Sequence, residues 1–316
     1  MTIEFETPKP ITQQQYVLKT VADNMMRPHS RYFDENEHEI PWDYINFMHQ
    51  AMKASGAGSL APSDKKKDPN KPKRPPIGYQ MLAHMLEVLS WGDTGMYLIP
   101  PGGGLGAAAV QSAGNPEQKK KFLARFMDEK PTFAAMCMTE ADAGSDTSKI
   151  RANAVLDDET NEWVLNGEKI FVTAGDKALT DYEEAGQGFI VVWATIDPEA
   201  GRAGMRSFVV EAGTPGAKVT KMEHKLGIRA SDTVTIVLQD VRVPFENILG
   251  KPTVEKTTKG FKGAMATFDA TRPLVAAMGI GVARAALEFV QEKPEEEGVE
   301  IRYGKPRNPL TSIERD

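Results

Sequence analysis

Near Thr132 the chain changes character, and any fold it adopts must accommodate that change. From there to Pro244, segments rich in β-branched and aromatic residues alternate with turn signals: "EWVLNGEKIFVT", "GFIVVWATI", "MRSFVVEA" and "TVTIVLQDVRVP", punctuated by Pro198, Gly213, Pro215 and Gly227. About seven short strands at such spacing predict an antiparallel barrel or sandwich. Asn166-Gly167 stands between two strand-like runs, the strongest short-range hairpin signal.

Both flanks read as helix. "TQQQYVLKTVADNMM" repeats Val17, Val21 and Met25 at four-residue intervals, which predicts one apolar stripe. "PWDYINFMHQAM" opens with Pro41, and "GYQMLAHMLEVLSW" places Leu82, Met85, Leu86 and Leu89 on one face. "GNPEQKKKFLARF" carries a full start signal, with Asn115 as cap, Pro116 at the first helical position and Gln118 at the third. Ser63–Pro76 reads as an exposed loop that has nothing to bury. Helical signal returns at Gly260, with Pro273 marking a kink or a helix start; "EKPEEEGVEIRYGKPRNP" is a polar excursion and "LTSIERD" a further helix. The order is helices, barrel, helices, an α+β class with boundaries at 1–131, 132–248 and 249–316.

Composition narrows the chemistry. A chain of 316 residues with 41% apolar content can build two or three cores. No run approaches the ~20 apolar residues of a membrane span, so no integral membrane segment is expected. The start "MTIEFETPKPITQQQ" does not read as a secretory signal. Cys137, the single cysteine, lies in the apolar run "FAAMCMT" and reads as a buried core thiol; it fits a reducing, cytoplasmic setting. A net charge of -6 gives nucleic acid no electrostatic footing. "PPGGGLGAAA", around Gly102, Gly104 and Ala107, imitates a dinucleotide fingerprint but lies among helices, and it reads as a loop between them. His29, His38, His49, His84 and His224 show no metal-ligand spacing, and no metal is expected.

"MCMTEADAGSDTSKI" is different. It breaks a β-run with acidic residues and Gly144, then offers Thr139, Ser145 and Asp146 in a tight cluster. Glycine lets backbone approach a ligand closely, and exposed N–H groups in such turns suit anionic or carbonyl acceptors. Here the chain resembles the acyl-CoA dehydrogenases, whose Thr-Glu-x-x-x-Gly-Ser-Asp signature lines a flavin. "NGEKIFVTAG" is similar to the family's hairpin over the other flavin face, "HKLGIRASDTVTIVLQDVRVPFENILG" to its exit from the barrel, and "GFKGAMATFDATRP" to its first C-terminal helix. "GNPEQKKKFLARF" is typical of the family's N-terminal domain.

The resemblance implies an N-terminal helical domain, a central antiparallel β-barrel and the start of a C-terminal helical bundle. It also implies FAD and the α,β-dehydrogenation of an acyl-CoA thioester to the trans-2-enoyl-CoA. The flavin does the hard chemistry, and the protein supplies orientation and electrostatics. By the same resemblance Met136, Met138, Thr139, Gly144, Ser145, Phe171, Val172 and Thr173 would contact the cofactor; Ser145, Asp269, Thr271 and Arg272 would contact CoA. Phe171 stands where the family usually carries Trp. An electron-transferring flavoprotein is the implied acceptor, a homo- or heterotetramer the implied assembly, and fatty acid β-oxidation the implied setting.

Three departures stand out. Lys149 replaces the small residue that closes the signature. In "EIRYGK", Tyr303, Gly304 and Lys305 match the family's Arg-Lys-Thr-Phe-Gly-Lys, yet Glu300 holds the Arg position and Arg302 lies two places on. The family's catalytic glutamate is expected beyond Asp316, and Thr271 occupies the alternative position that a minority use, so a C-terminally truncated chain is expected. A non-catalytic subunit of a heteromeric enzyme, or a relative oxidising a non-CoA substrate, stays open as an alternative.

Overall fold

The structure, a computed structural model, describes residues 7–55, 77–99, 104–254 and 259–298; of 55, 259–271 and 295 it describes the backbone only. The loop expected at Ser63–Pro76, Gly102, the Glu300–Lys305 segment and "LTSIERD" lie outside the described residues. In chain order, α1 spans Lys9–Val21, α2 Arg27–Glu35, α3 Trp42–Ser55, α4 Gly78–Tyr97, α5 Gly104–Ala113 and α6 Pro116–Leu123. β1 (Ala134–Cys137), β2 (Asn153–Asp157) and β3 (Glu162–Thr173) lead to the short α7, Gly175–Leu179. β4 (Phe189–Thr195), β5 (Met205–Glu211), β6 (Ala217–Met222), β7 (Thr233–Pro244) and β8 (Ile248–Leu249) precede α8, Lys259–Glu296. The chain divides into two compact units, one from Met1–Pro28, Pro75–Thr94 and Arg272–Asp316, the other from His29–Arg74 and Gly95–Thr271.

The first unit is helical. Its buried stripe on α1 and the following turn is Ile11, Leu18, Ala22 and Met26, one residue beyond the expected Val17, Val21 and Met25; Val17 is exposed. The shift follows from Gly92 on α4, where an added Cβ would lie 2.9 Å from Ala22 Cβ and 3.1 Å from Met26 Sδ. Close approach selects the face that carries the small alanine. On α4, Leu86 and Leu89 are buried as expected, whereas Leu82 is exposed.

α8 includes Pro273 and Pro294, so a helix start at Pro273 and a polar excursion at 292–296 are both corrected to helix. Its segment Arg272–Pro294 is, by length and composition alone, apolar enough to cross a membrane, with mean hydropathy 1.6 and 17% burial, contrary to the expectation of no such run. Arg284 and Glu288 interrupt the apolar run in sequence and hide it. Within this unit Arg284 pairs with Glu87 of α4 at 2.6 Å, and the indole N–H of Trp91 donates to Glu288. Leu274, Ala277 and Ala285 are buried, while Val275, Ile280, Val282 and Leu287 are exposed.

The second unit holds an eight-stranded sheet ordered β6-β7-β3-β2-β4-β5-β8, with β1 added on β4. The α+β class is as expected, but the sheet is mixed rather than antiparallel: β1 runs parallel to β4, and β2 touches β4 in parallel at Asn153↔Thr195. The long connection from β1 to β4, through the β2–β3 hairpin and α7, brings the chain back in the same direction, as a parallel pair requires. α5 and α6 cover one face of the sheet. Phe122 and Phe126 pack on Phe189 with centroids 5.4 and 6.0 Å apart, in a core shared with Val110, Val191 and Val209. The glycine-rich run read as a loop is helical from Gly104, and it packs so closely on β1 that a Cβ at Gly106 would strike the backbone at Ala134 and Ala135. The expected capping box of α6 is present, with Asn115 and Gln118 exchanging two 2.8 Å bonds.

Asn166-Gly167 is not a turn. β3 passes straight through it, and the hairpin closes instead at Asp158–Asn161, where Asp157 Oδ1 accepts from Glu159 N at 3.1 Å. Gly167, at φ +149°, sits so close to β2 that an added Cβ would lie 2.5 Å from Ala152 Cβ. The glycine serves strand packing here, and Asn166 bonds across to Asp240 on β7.

Candidate functional site

Two register shifts interrupt the β3–β7 ladder. Between Leu165↔Val241 and Gly167↔Leu238 the extra residue lies on β7, so the inward phase of β3 survives: Trp163, Leu165 and Lys169 all point into the core. Between Lys169↔Ile236 and Val172↔Val234 the extra residue lies on β3. Phe171 there takes a left-handed backbone, φ +56°, and is 61% exposed. Past this bulge the phase flips. Val172 is buried and Thr173 exposed.

Lys169 therefore lies on an inward position, fully buried, and a buried ammonium requires partners. Its Nζ donates to Glu140 Oε1 at 2.6 Å and to the Met138 carbonyl at 3.2 Å. The Glu140 carboxylate also accepts from Arg151 N at 2.7 Å and Ala152 N at 3.0 Å. Burial holds the Lys169 ammonium below its ordinary pKa, and Glu140 opposes that shift. Beside it, Cys137 is buried as expected, its thiol pushed up to about 12 by burial.

The loop leaving β1 lies against the second bulge. Ile170 N donates to the Thr139 carbonyl at 2.9 Å, and Glu140 and Ala143 exchange backbone bonds that fold the acidic turn. Thr139, Met136 and Met138 are half-buried, and Gly144 and Ser145 are exposed. Asp146 accepts from the Ser148 hydroxyl at 2.6 Å and from its amide at 3.2 Å, which holds its carboxyl below the usual range; Lys149 and Arg202 add to this. An open groove of about 470 Å³ is lined by Ile170 and Phe171 of β3, Thr220 and Lys221 of β6, and Thr235 of β7.

The sequence-read residues thus fall into three groups. Met138 and Thr139 meet the Lys169–Phe171 bulge through hydrogen bonds; Gly144 and Ser145 stand further along the same loop. Val172 turns its side chain into the core. Arg272 is exposed on α8, and Asp269 and Thr271 lie on the same helix with side chains outside the described residues. Lys169 and Glu140 were missed. The signal was present, since a lysine in phase with Trp163 and Leu165 must find a carboxylate.

Two further charged clusters lie in this unit. Asp232 accepts from the buried Lys177 ammonium and from Asp176 N at 2.9 Å, which fixes α7. Glu37, His38 and His224 bring possible ligand atoms within 4.8 Å of one another, an arrangement the scattered histidines did not foretell. The Glu37 carboxylate is already engaged by His224 Nδ1 at 2.9 Å, Lys225 N at 2.8 Å and Arg229 at 3.4 Å. Burial alone would raise the Glu37 pKa; these partners outweigh it and hold the carboxyl below its ordinary range.

Residues 135–241 match the model of the acyl-CoA dehydrogenase middle domain. Over 271 residues the chain is 36% identical to a probable medium-chain specific acyl-CoA dehydrogenase 2, mitochondrial, of Caenorhabditis briggsae, covering 84% of this chain and 59% of that protein. It is 37% identical over 206 residues to an acryloyl-CoA reductase (NADH) of Anaerotignum propionicum, covering 65% of this chain and 48% of that one. The structure of butyryl-CoA dehydrogenase from Megasphaera elsdenii superposes with a TM-score of 0.73 at 28% identity, over 98% of this chain and 74% of that chain. The chain belongs to the acyl-CoA dehydrogenase family. It spans between about half and three-fifths of the length of these curated relatives. Within the matched residues 135–241, the β1 exit loop and the β3 bulge are held against each other by hydrogen bonds from Lys169 and Ile170.

Proposed function

We propose that the whole protein is an FAD-dependent acyl-CoA dehydrogenase that converts an acyl-CoA thioester to its trans-2-enoyl-CoA. One observation carries this reading: the loop bearing Thr139 is tied by hydrogen bonds to Lys169 and Ile170, the residues just before a left-handed, exposed Phe171. A bulky residue in that conformation is strained, and such strain gathers at ligand sites. The residues fit a planar ring system. Phe171 offers an exposed aromatic face beside an open groove, and the turn at Gly144 has nothing within 4 Å of an added Cβ.

When bound, FAD supplies the two-electron acceptor for oxidation of the Cα–Cβ bond. Phe171 would shield its face from water. The Thr139 and Thr173 hydroxyls would donate hydrogen bonds where negative charge collects. Gly144 and Ser145 would present backbone N–H groups to phosphate and thioester oxygens. Arg272 would offer a planar fork to a CoA phosphate. An electron-transferring flavoprotein as acceptor, a tetrameric assembly, a cytoplasmic location and a place in fatty acid β-oxidation complete the proposal, as does a helical–barrel–helical division at 1–131, 132–248 and 249–316. All rest on the family resemblance. The test is to purify the protein, record flavin absorbance after gel filtration, and follow its bleaching by short and long acyl-CoAs without oxygen. Retained flavin that acyl-CoA bleaches is expected; a protein that takes up no added FAD overturns the reading.

A further inference from the structure

We propose that Lys169, through its buried ion pair with Glu140, is a positioning residue that sets how tightly and at what potential the flavin site holds its cofactor. This rests on the FAD reading above and adds a residue pair to it.

The geometry brackets one residue. The single Lys169 ammonium holds the carbonyl of Met138 and the side chain of Glu140, the two neighbours of Thr139. The Thr139 carbonyl is held separately by Ile170 N, the residue next to Lys169. Because the peptide unit is planar and trans, fixing the Met138 carbonyl toward Lys169 turns the Thr139 N–H to the opposite side. Glu140 then ties the same loop to the start of β2 through Arg151 N and Ala152 N. Lys169 is 0% exposed and Glu140 8%, so water cannot substitute for either partner.

The fold alone does not demand this arrangement. A buried ion pair is often matched or bettered in stability by apolar groups of similar volume, whereas removing one partner leaves an uncompensated charge. What the pair supplies is a fixed orientation of the 138–140 backbone, directly beside the Phe171 bulge. Its effect belongs to cofactor binding more than to folding.

The experiment compares three proteins: wild type, Lys169→Met, and the double variant Lys169→Met with Glu140→Gln. Gln retains an acceptor for the β2 amides while removing the unpaired charge. Three quantities are read: the FAD dissociation constant by fluorescence titration, the midpoint potential of the bound flavin, and the melting temperature of the apoprotein. The double variant is expected to melt close to wild type yet bind FAD at least about tenfold more weakly, the scale on which groups that orient a ligand's direct contacts act. Its potential should move to more negative values, because misdirected Thr139 groups stabilise negative charge less well. If wild type and double variant bind FAD equally at the same potential, the inference falls while the flavin reading stands. If the double variant does not fold, the pair is a fold element and the inference also falls. If wild type binds no FAD, both fall together.

Discussion

The two bulges of the β3–β7 ladder handle the same problem in opposite ways. Each forces a residue other than glycine into the left-handed region, Asp240 at φ +47° and Phe171 at φ +56°. Aspartate tolerates that region better than a bulky residue, because its short polar side chain can bond locally. Asp240 is also closed off from the side: its N–H donates to Asn166 Oδ1 at 2.8 Å and its carboxylate accepts from Asn166 Nδ2 at 3.1 Å. Phe171 has no such closure. Its ring is directed outward to a groove, and the bonding that holds the bulge comes from the loop after β1. Both strained residues are exposed; the first bulge ties its own back into the ladder through Asn166, and the second leaves a ring at the groove where a ligand would use it.

The largest test of this contrast lies at the packed bulge. Gly167→Val should destabilise the protein by about 3 kcal/mol or more, since a strained φ near +150° and an overlap with Ala152 each cost roughly 1–3 kcal/mol. Urea unfolding of the apoprotein would show it. A variant that unfolds at the wild-type midpoint would mean that β2 and β3 do not approach as closely as described.

At the open bulge the next effect appears in binding instead. Thr173 is exposed beside the buried Val172, so Thr173→Val keeps its shape and leaves stability nearly unchanged. Flavin retention should weaken several-fold, up to about tenfold, the worth of one hydrogen bond. Equal FAD affinity by titration would remove Thr173 from the site. Asn166→Ala returns to the packed bulge with a smaller effect. It removes two hydrogen bonds that close Asp240 but are solvent-exposed, and should lower stability by about 1 kcal/mol without altering flavin affinity.

Local signals are legible in the sequence. The capping box at Asn115–Gln118 and the strands from Phe189, Met205 and Thr233 depend on neighbours within a few residues, and the structure has them. Signals that depend on a distant partner are not. Asn166-Gly167 looks like a turn until Ala152 and Asp240 are placed beside it. The α1 stripe moves by one residue because of Gly92, some 70 positions away. Lys169 finds Glu140 across 29 residues, and only the strand's alternation hinted that it faced inward. The site followed the same rule. Its loop was legible from composition, whereas the bulge that exposes Phe171 is a property of pairing between β3 and β7.

A small change in stability at Phe171 is the most informative. Phe171→Gly removes a bulky side chain from a left-handed backbone, which relieves roughly 1–2 kcal/mol. It also gives the unfolded chain more freedom, which takes back roughly 0.5–1 kcal/mol. Phe171 is 61% exposed, so less than half of its surface is buried to be lost. The two main terms nearly cancel, and the apoprotein should unfold within about 1 kcal/mol of wild type. Bound flavin, in contrast, should become more accessible to a soluble quencher such as iodide, because the face that Phe171 is proposed to cover would open to water. A loss of more than about 2 kcal/mol with unchanged quenching would make Phe171 a residue of the fold alone, like its counterpart Asp240, and the difference between the two bulges would disappear.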